Sequence, residues 1–164
     1  NWPARNWPRS STRFSIPEDP RYHAELRTEQ YICKPVMAVF ERHGIGQVLS
    51  HWTWLPPLKR QFVRGGGRFL NKGRETVIRL MTPLGVRYED AYAQAYPFDH
   101  LVEGLFQPSM VDDTLYMVEE ALNQEIHVHV IVNNRAGGNA PEIAQLLATR
   151  LLKRRMGGAV EHRE

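Results

Sequence analysis

The chain has 164 residues, 42% of them hydrophobic and 24% charged, which is the balance of a globular domain and a length that suggests one domain. Its single cysteine, Cys33, excludes a disulfide framework and a cysteine-rich metal site; a lone thiol fits a reducing compartment, so a cytoplasmic protein is expected. The net charge of +3 is too small to imply nucleic acid by itself. No apolar run approaches the roughly 18 residues of a membrane span, so no membrane partner is expected.

Residues 1–19 read as unstructured, because Pro3, Pro8, Pro17, Ser10 and Ser11 break any period. The chain opens on Asn1 rather than Met and has no signal-type apolar stretch, which leads us to expect a start inside a longer protein. From Tyr22 strands and helices alternate. His23 to Arg27 reads as a short strand. Thr28 to Arg42 reads as mostly helical, with Pro35 near its start, Gly44 at its end and a stripe of Val36, Val39 and Phe40. Gly46 to Trp52 is the next strand, and residues 53–74 are a loop or broken helix. Thr76 to Met81 is a third strand and Tyr88 to Ala95 a short helix. Asp112 to Gln124 is a helix with Asp112 or Asp113 as N-cap and Leu115, Val118 and Leu122 buried. Ile126 to Asn133 is a fourth strand. Pro141 to Arg155 is the last helix, with Ile143, Leu146, Leu147 and Leu151 as its stripe, Lys153, Arg154 and Arg155 in its last turn, and Gly157 and Gly158 as its stop. This organisation divides the chain into an unstructured segment to residue 19, one α/β domain over 20–157 and a tail from 158.

Alternating strands and helices argue for a parallel α/β architecture. Four units fall short of an eight-unit barrel, which needs roughly 200 residues or more. The chain is therefore a small open α/β domain or part of a barrel. Strand faces bear on that choice. In the last strand Ile126, Val128, Val130 and Val132 share one side; His127, His129, Ile131 and Asn133 share the other. In the first, Ala24 and Leu26 oppose His23, Glu25 and Arg27. An open doubly wound sheet wants both faces apolar, whereas a barrel wall packs one face on helices and turns the other inward. The polar groups form either a structural ion-pair network of Glu25, Arg27, Arg79 and a histidine, or part of a site. His127, early in its strand, reads as a satisfied core histidine.

The turn Asn133-Asn134-Arg135-Ala136-Gly137-Gly138-Asn139-Ala140-Pro141 carries the densest signal. Asn139 suits an N-cap and Pro141 the first helical turn. A helix N-terminus beside Arg135 can hold an anion; a plain reversal of the chain is the other reading. The pattern is neither a P-loop nor a dinucleotide fingerprint. Between Glu41 and Glu75 there is no acidic residue, and Lys59, Arg60, Arg64, Arg68, Lys72 and Arg74 fall in that gap, with Trp52 and Trp54 just before them. Such a run is either a solvated loop or a grip on single-stranded nucleic acid; the tryptophans, with Tyr88, could instead wall a pocket. His129, Glu25 or His51 could ligate a metal, but no spacing specifies one.

Ala24-Glu25-Leu26-Arg27, Ser50-His51-Trp52 with Pro56-Pro57, Val77-Ile78-Arg79-Leu80 with Tyr88, and Val132-Asn133-Asn134-Arg135 followed by Gly138-Asn139-Ala140-Pro141 resemble, in order, motifs of the YecE-like family (domain of unknown function 72). The last motif is the most specific, and the resemblance runs from about Tyr22 to about Leu152. It implies the C-terminal half of a TIM-type (β/α) barrel, strands five to eight, with the N-terminal half expected elsewhere. It also implies site positions at Glu25, Arg27, Arg79, Asn133 and Asn134, but no reaction and no cofactor. The function expected is that of a barrel enzyme, or a fragment of one, acting on a small polar or anionic substrate. Glu25 would be the general acid/base, with Arg27, Arg79 and Arg135 holding negative charge. Asn133, Asn134, Gly138 and Asn139 would bind the substrate, with Trp52 and Tyr88 as its wall. The alternatives are a nucleic-acid or phosphate-binding module on residues 59–74 and a non-catalytic fragment.

Overall fold

A computed structural model of the chain describes residues 19–161. The expectations for residues 1–18 and 162–164 lie outside the described residues. The fold is α/β, with one parallel four-stranded sheet in the order β1 (His23–Glu25), β2 (Gly46–His51), β3 (Glu75–Leu80) and β4 (His127–Val132). The helices are α1 (Lys34–His43), α2 (Leu58–Arg64), α3 (Tyr88–Ala95), α4 (Pro108–Asn123) and α5 (Ala140–Glu161). The sheet is open, with β1 and β4 at its edges.

Register places every second side chain on one of two faces. The first face carries Leu49, Ile78 and Leu80, with Val128, Val130 and Val132 of β4, and it packs on Leu58 and Phe62 of α2, Met110, Leu115 and Met117 of α4, and Ile143 and Leu147 of α5. The second carries Glu25, Val48, Val77 and His129 in one register row and Ser50, Arg79 and Ile131 in the next. No helix of the core cluster covers this second face, and along β4 it is exposed. His127 is therefore not a core histidine: it sits exposed on the open face of an edge strand.

Other boundaries moved for local reasons. β1 stops at Glu25, so Arg27 follows the strand rather than belonging to it. The helix expected from Thr28 is a 3-10 turn, Glu29–Tyr31, and then α1, capped by Gly44 at φ 64 as expected. Its buried residues are Met37 and Phe40, while Val39 is 48% exposed. The segment 53–74 holds a regular helix, α2, whose Gln61 is buried because β1 ends early. With no strand beside it there, Ser50 N–H donates to Gln61 Oε1 (3.2 Å) and Gln61 Nε2 donates to Ser50 O (2.7 Å), completing the edge of β2. α4 starts at Pro108, a residue suited to the first helical position, which leaves Asp112 inside the helix rather than capping it. α5 runs through Gly157 and Gly158 to Glu161, so neither glycine stops it and Lys153–Arg155 are not its last turn. Arg154 instead spans to Glu119 on α4 at 3.1 Å. Among the described residues no helix is long and apolar enough to cross a membrane.

Candidate functional site

The C-terminal ends of the strands gather most of the residues singled out above. Glu25 leaves the end of β1 on the open face and is held three ways: Ser50 Oγ donates to Oε1 at 2.6 Å, and Arg79 Nη1 and Arg27 Nη2 donate to Oε2 at 2.6 and 3.1 Å. Burial opposes ionisation of Glu25, but the Ser50 hydrogen bond and the two guanidiniums outweigh it and keep its pKa below the usual carboxylate value. At neutral pH it is an ionised acceptor that orients two arginines. Arg27 and Arg79 around Glu25 are the ion-pair network that was one of the two readings of these polar residues, without the histidine; a general acid/base works best when its pKa lies near the operating pH.

From Glu25 the contacts continue along the rim. Arg27 lies over the Trp52 ring, 5.0 Å from its centroid. Trp52 and Tyr88 rings are 5.9 Å apart. The Arg135 guanidinium lies over the Tyr88 ring, 4.2 Å from its centroid, and over the Tyr92 ring at 5.1 Å. Arg27, Trp52, Trp54, Met81, Arg87, Tyr88 and Glu89 line an open cleft of about 570 Å³. A second cleft, of about 350 Å³, is lined by Tyr92, Phe98, Asn133, Asn134 and Arg135. Phe98 adopts φ 71, an uncommon conformation for a bulky residue. Arg27 and Arg79 thus share the Glu25 carboxylate. Among the described residues no carboxylate forms an ion pair with Arg135, and its Nε is buried without a partner.

In the turn after β4, Asn139 caps α5 and Pro141 lies in its first turn, as expected, but the free N–H groups of an anion site are absent. Asn133 Oδ1 accepts from Arg135 N–H at 2.9 Å, Asn134 Oδ1 from Ala140 N–H at 2.9 Å, and Asn139 Oδ1 from Glu142 N–H at 3.0 Å. Asn139 O accepts from Ile143 N–H, and Pro141 has no N–H. Every backbone donor of the first turn of α5 is already spoken for, so no anion site of free N–H groups exists there. Asn134 and Asn139 build the turn. Gly138, at φ 110 beside the His100 carbonyl, is required by the backbone. The turn presents Arg135 to the second cleft together with Asn133 and Asn134.

Several residues that place these groups gave no signal in the sequence. Thr53 Oγ1 pairs with Thr82 Oγ1 (2.8 Å) and donates to Val86 O (2.5 Å), tying the loops after β2 and β3 together behind Trp52, Trp54 and Tyr88. Gln107 Oε1 accepts from His51 Nε2 (3.1 Å) and from Leu84 N–H (3.0 Å). His51 itself points to the helix side, 1% exposed, while Glu25 and His129 lie on the open face. Among the described residues no group of three His, Cys, Asp or Glu side chains could hold a metal.

The basic run 59–74 is largely neutralised. Arg64 pairs with Glu29, Arg68 with Glu41 at 2.9 Å, and Arg74 with Glu125 at 3.3 Å, while Lys59 lies over Tyr116. Asn71 donates to Pro20 O and Tyr22 O, which puts the loop after α2 at the N-terminal end of the sheet, whereas Trp52 and Trp54 follow the C-terminal end of β2. No family model, no curated protein and no solved structure matches this chain.

Proposed function

We propose that the domain is half of a (β/α) barrel wall, of the kind the YecE-like resemblance implies, and that its strand ends bind a small molecule carrying an oxyanion and an aromatic ring. The observation that carries this reading is Arg135: a guanidinium lying over two tyrosine rings, with no carboxylate partner among the described residues, next to a cleft walled by Trp52, Trp54 and Tyr88. The two rings hold the guanidinium in place and its Nε is enclosed, which leaves the two Nη groups to meet a phosphate or carboxylate in a bidentate way. Trp54, 68% exposed, offers a free ring face. The cleft is of the size small ligands occupy. Glu25 supports the reading as a positioning residue, since it aims Arg27 and Arg79 without cancelling both charges. A nucleic-acid module on residues 59–74 is less favoured, because the basic loop and the tryptophans lie at opposite ends of the sheet.

Calorimetric titration at low salt tests the assignment. Phenyl phosphate should bind about 10-fold more tightly than inorganic phosphate, the ratio expected if one ring stacks. Arg135→Met should weaken both by about 10-fold or more, as the loss of a charged hydrogen bond does. Equal affinities in wild type and Arg135→Met would remove the assignment.

Arg79→Met gives a second test. It leaves Glu25 with Ser50 and the more exposed Arg27, whose side chain is 60% exposed against 27% for Arg79. Stability should drop by about 2 kcal/mol in urea melts, and the Glu25 carboxyl should titrate at higher pH than in wild type. An unchanged Glu25 titration would show that Arg79 does not set its charge.

A further inference from the structure

A parallel sheet is normally covered on both faces, yet here β4 presents Ile131 at 50% and the His129 side chain at 54% exposure on the face that no core helix covers. Among the described residues both sheet edges are also unpaired. On β4 the odd-numbered residues bond β3, as His127 N–H does to Arg74 O and Asn133 N–H to Leu80 O, so the peptide groups of Val128, Val130 and Val132 point outward. On β1, Gly46 N–H bonds Tyr22 O, which turns the groups of His23 and Glu25 outward. Open edges of this kind are templates for another strand.

We propose that a second copy of this chain closes the sheet. In this arrangement a two-fold axis parallel to the strands pairs β4 of each copy with β1 of the other and makes a barrel of eight parallel strands. The proposal rests on the half-barrel reading above and adds the partner. What identifies the partner as a second copy is charge and stagger. In an eight-stranded barrel with a shear of eight, neighbouring strands are offset by about one residue, so side chains two strands apart are level at an offset of about two. The sheet already has this stagger. Glu25 is in register with Val77 through Val48, yet its carboxylate meets Arg79, two residues further on. Carried around a two-fold axis, that level becomes Glu25, Arg79, the partner's Glu25 and the partner's Arg79, a ring of alternating sign in which every carboxylate lies between two guanidiniums. The level below it becomes Val48, Ile131 and the same pair from the partner, an apolar layer that buries Ile131. The same stagger sets Asn133 opposite the partner's Glu25, so that the partner completes the site at the strand ends.

Sedimentation velocity of the full chain should give twice the 19.0 kDa chain mass, without further growth as concentration rises. The amides of Val130, Val132 and Glu25 should be protected from hydrogen exchange in the dimer and lose that protection on dilution. Ile131→Asp should weaken self-association by about 100-fold or more, because it buries two unpaired carboxylates in one layer. The single chain should keep its circular dichroism, since Ile131 is half exposed there. If that variant does not fold, His129→Glu, on the same exposed face, replaces it. A monomer at every soluble concentration overturns the proposal, as does a dimer indifferent to both substitutions, or a mass that grows without limit through open edge pairing. Phenyl phosphate titration of the same samples separates the two claims. Binding without dimers removes only the partner, and dimers without binding remove only the ligand.

Discussion

Gly138→Ala is expected to destabilise the domain by about 4 kcal/mol, combining backbone strain with an overpacked contact. Gly138 has φ 110, a region that residues with a Cβ rarely enter. A Cβ there would lie 2.2 Å from the His100 carbonyl oxygen, 2.9 Å from Val102 Cγ2 and 3.1 Å from Val102 N. Two of these atoms are backbone, so the turn itself must move. It is held by Val102 N–H to Gly137 O at 2.8 Å and by Gly138 N–H to Asn134 O at 2.7 Å. Movement of this turn carries Arg135 with it, so phosphate affinity should fall in whatever fraction remains folded. Gly104→Ala is the control. Its φ of 80 is also positive, but nothing lies within 4 Å of the added Cβ, and the cost should be about 1 kcal/mol. Chemical denaturation of the two variants checks the difference, and equal losses would mean that the close approach at Gly138 is not the cause.

Acidification should destabilise the domain well before the carboxylates titrate. Burial pushes the His51 imidazole down from its usual 6.5 to about 4, against the opposing effect of its hydrogen bond with Gln107. Its Nδ1 is buried with no partner, so a second proton would sit in an apolar site. In the unfolded chain the same imidazole protonates near its usual value. The stability that depends on neutral His51 is thus fully present above pH 6.5, falls as pH drops through the interval from 6.5 to 4, and is gone below it. The whole interval is worth about 3 kcal/mol, of which about 2 kcal/mol is lost by pH 5. Melting temperatures measured from pH 7 to pH 5 should show this slope, and His51→Gln should flatten it whatever its stability at neutral pH. A wild-type profile that is flat over this range would contradict the neutral, buried assignment.

The strands were legible in the sequence because a parallel strand buried against helices must be apolar on that side. Val128, Val130 and Val132 could be read as one face for this reason, and so could the polar series from His127 to Asn133. The alternation alone could not say whether the polar series lines a filled interior or faces solvent, and His127 was misjudged on that point. Boundaries failed where tertiary contacts override local pattern. Pro108 begins α4 although Asp112 looked like its cap, and α5 passes through two glycines that usually end a helix. The cluster of Glu25, Arg27 and Arg79 was foreseeable from the polar residues on strand-like segments. The direction of the Glu25 pKa was not, because it depends on which partners reach the carboxyl, and Ser50 and Arg79 come from two other strands. Asn139 caps α5 as its position before Pro141 suggested, while the caps made by Asn133 and Asn134 were not read from the sequence. The placement of Arg135 over Tyr88 and Tyr92 could not be anticipated, since it joins α3 to the turn after β4.

The central claim is that the strand ends take an oxyanion with an aromatic ring. It is tested most directly by following side-chain resonances during a phenyl phosphate titration. The indole signals of Trp52 and Trp54 and the ring of Tyr88 should shift together and saturate. Tyr116, which lies against Lys59 on the helix side, should stay fixed. Shifts that never saturate, or that are as large at Tyr116 as at Trp52, would contradict it.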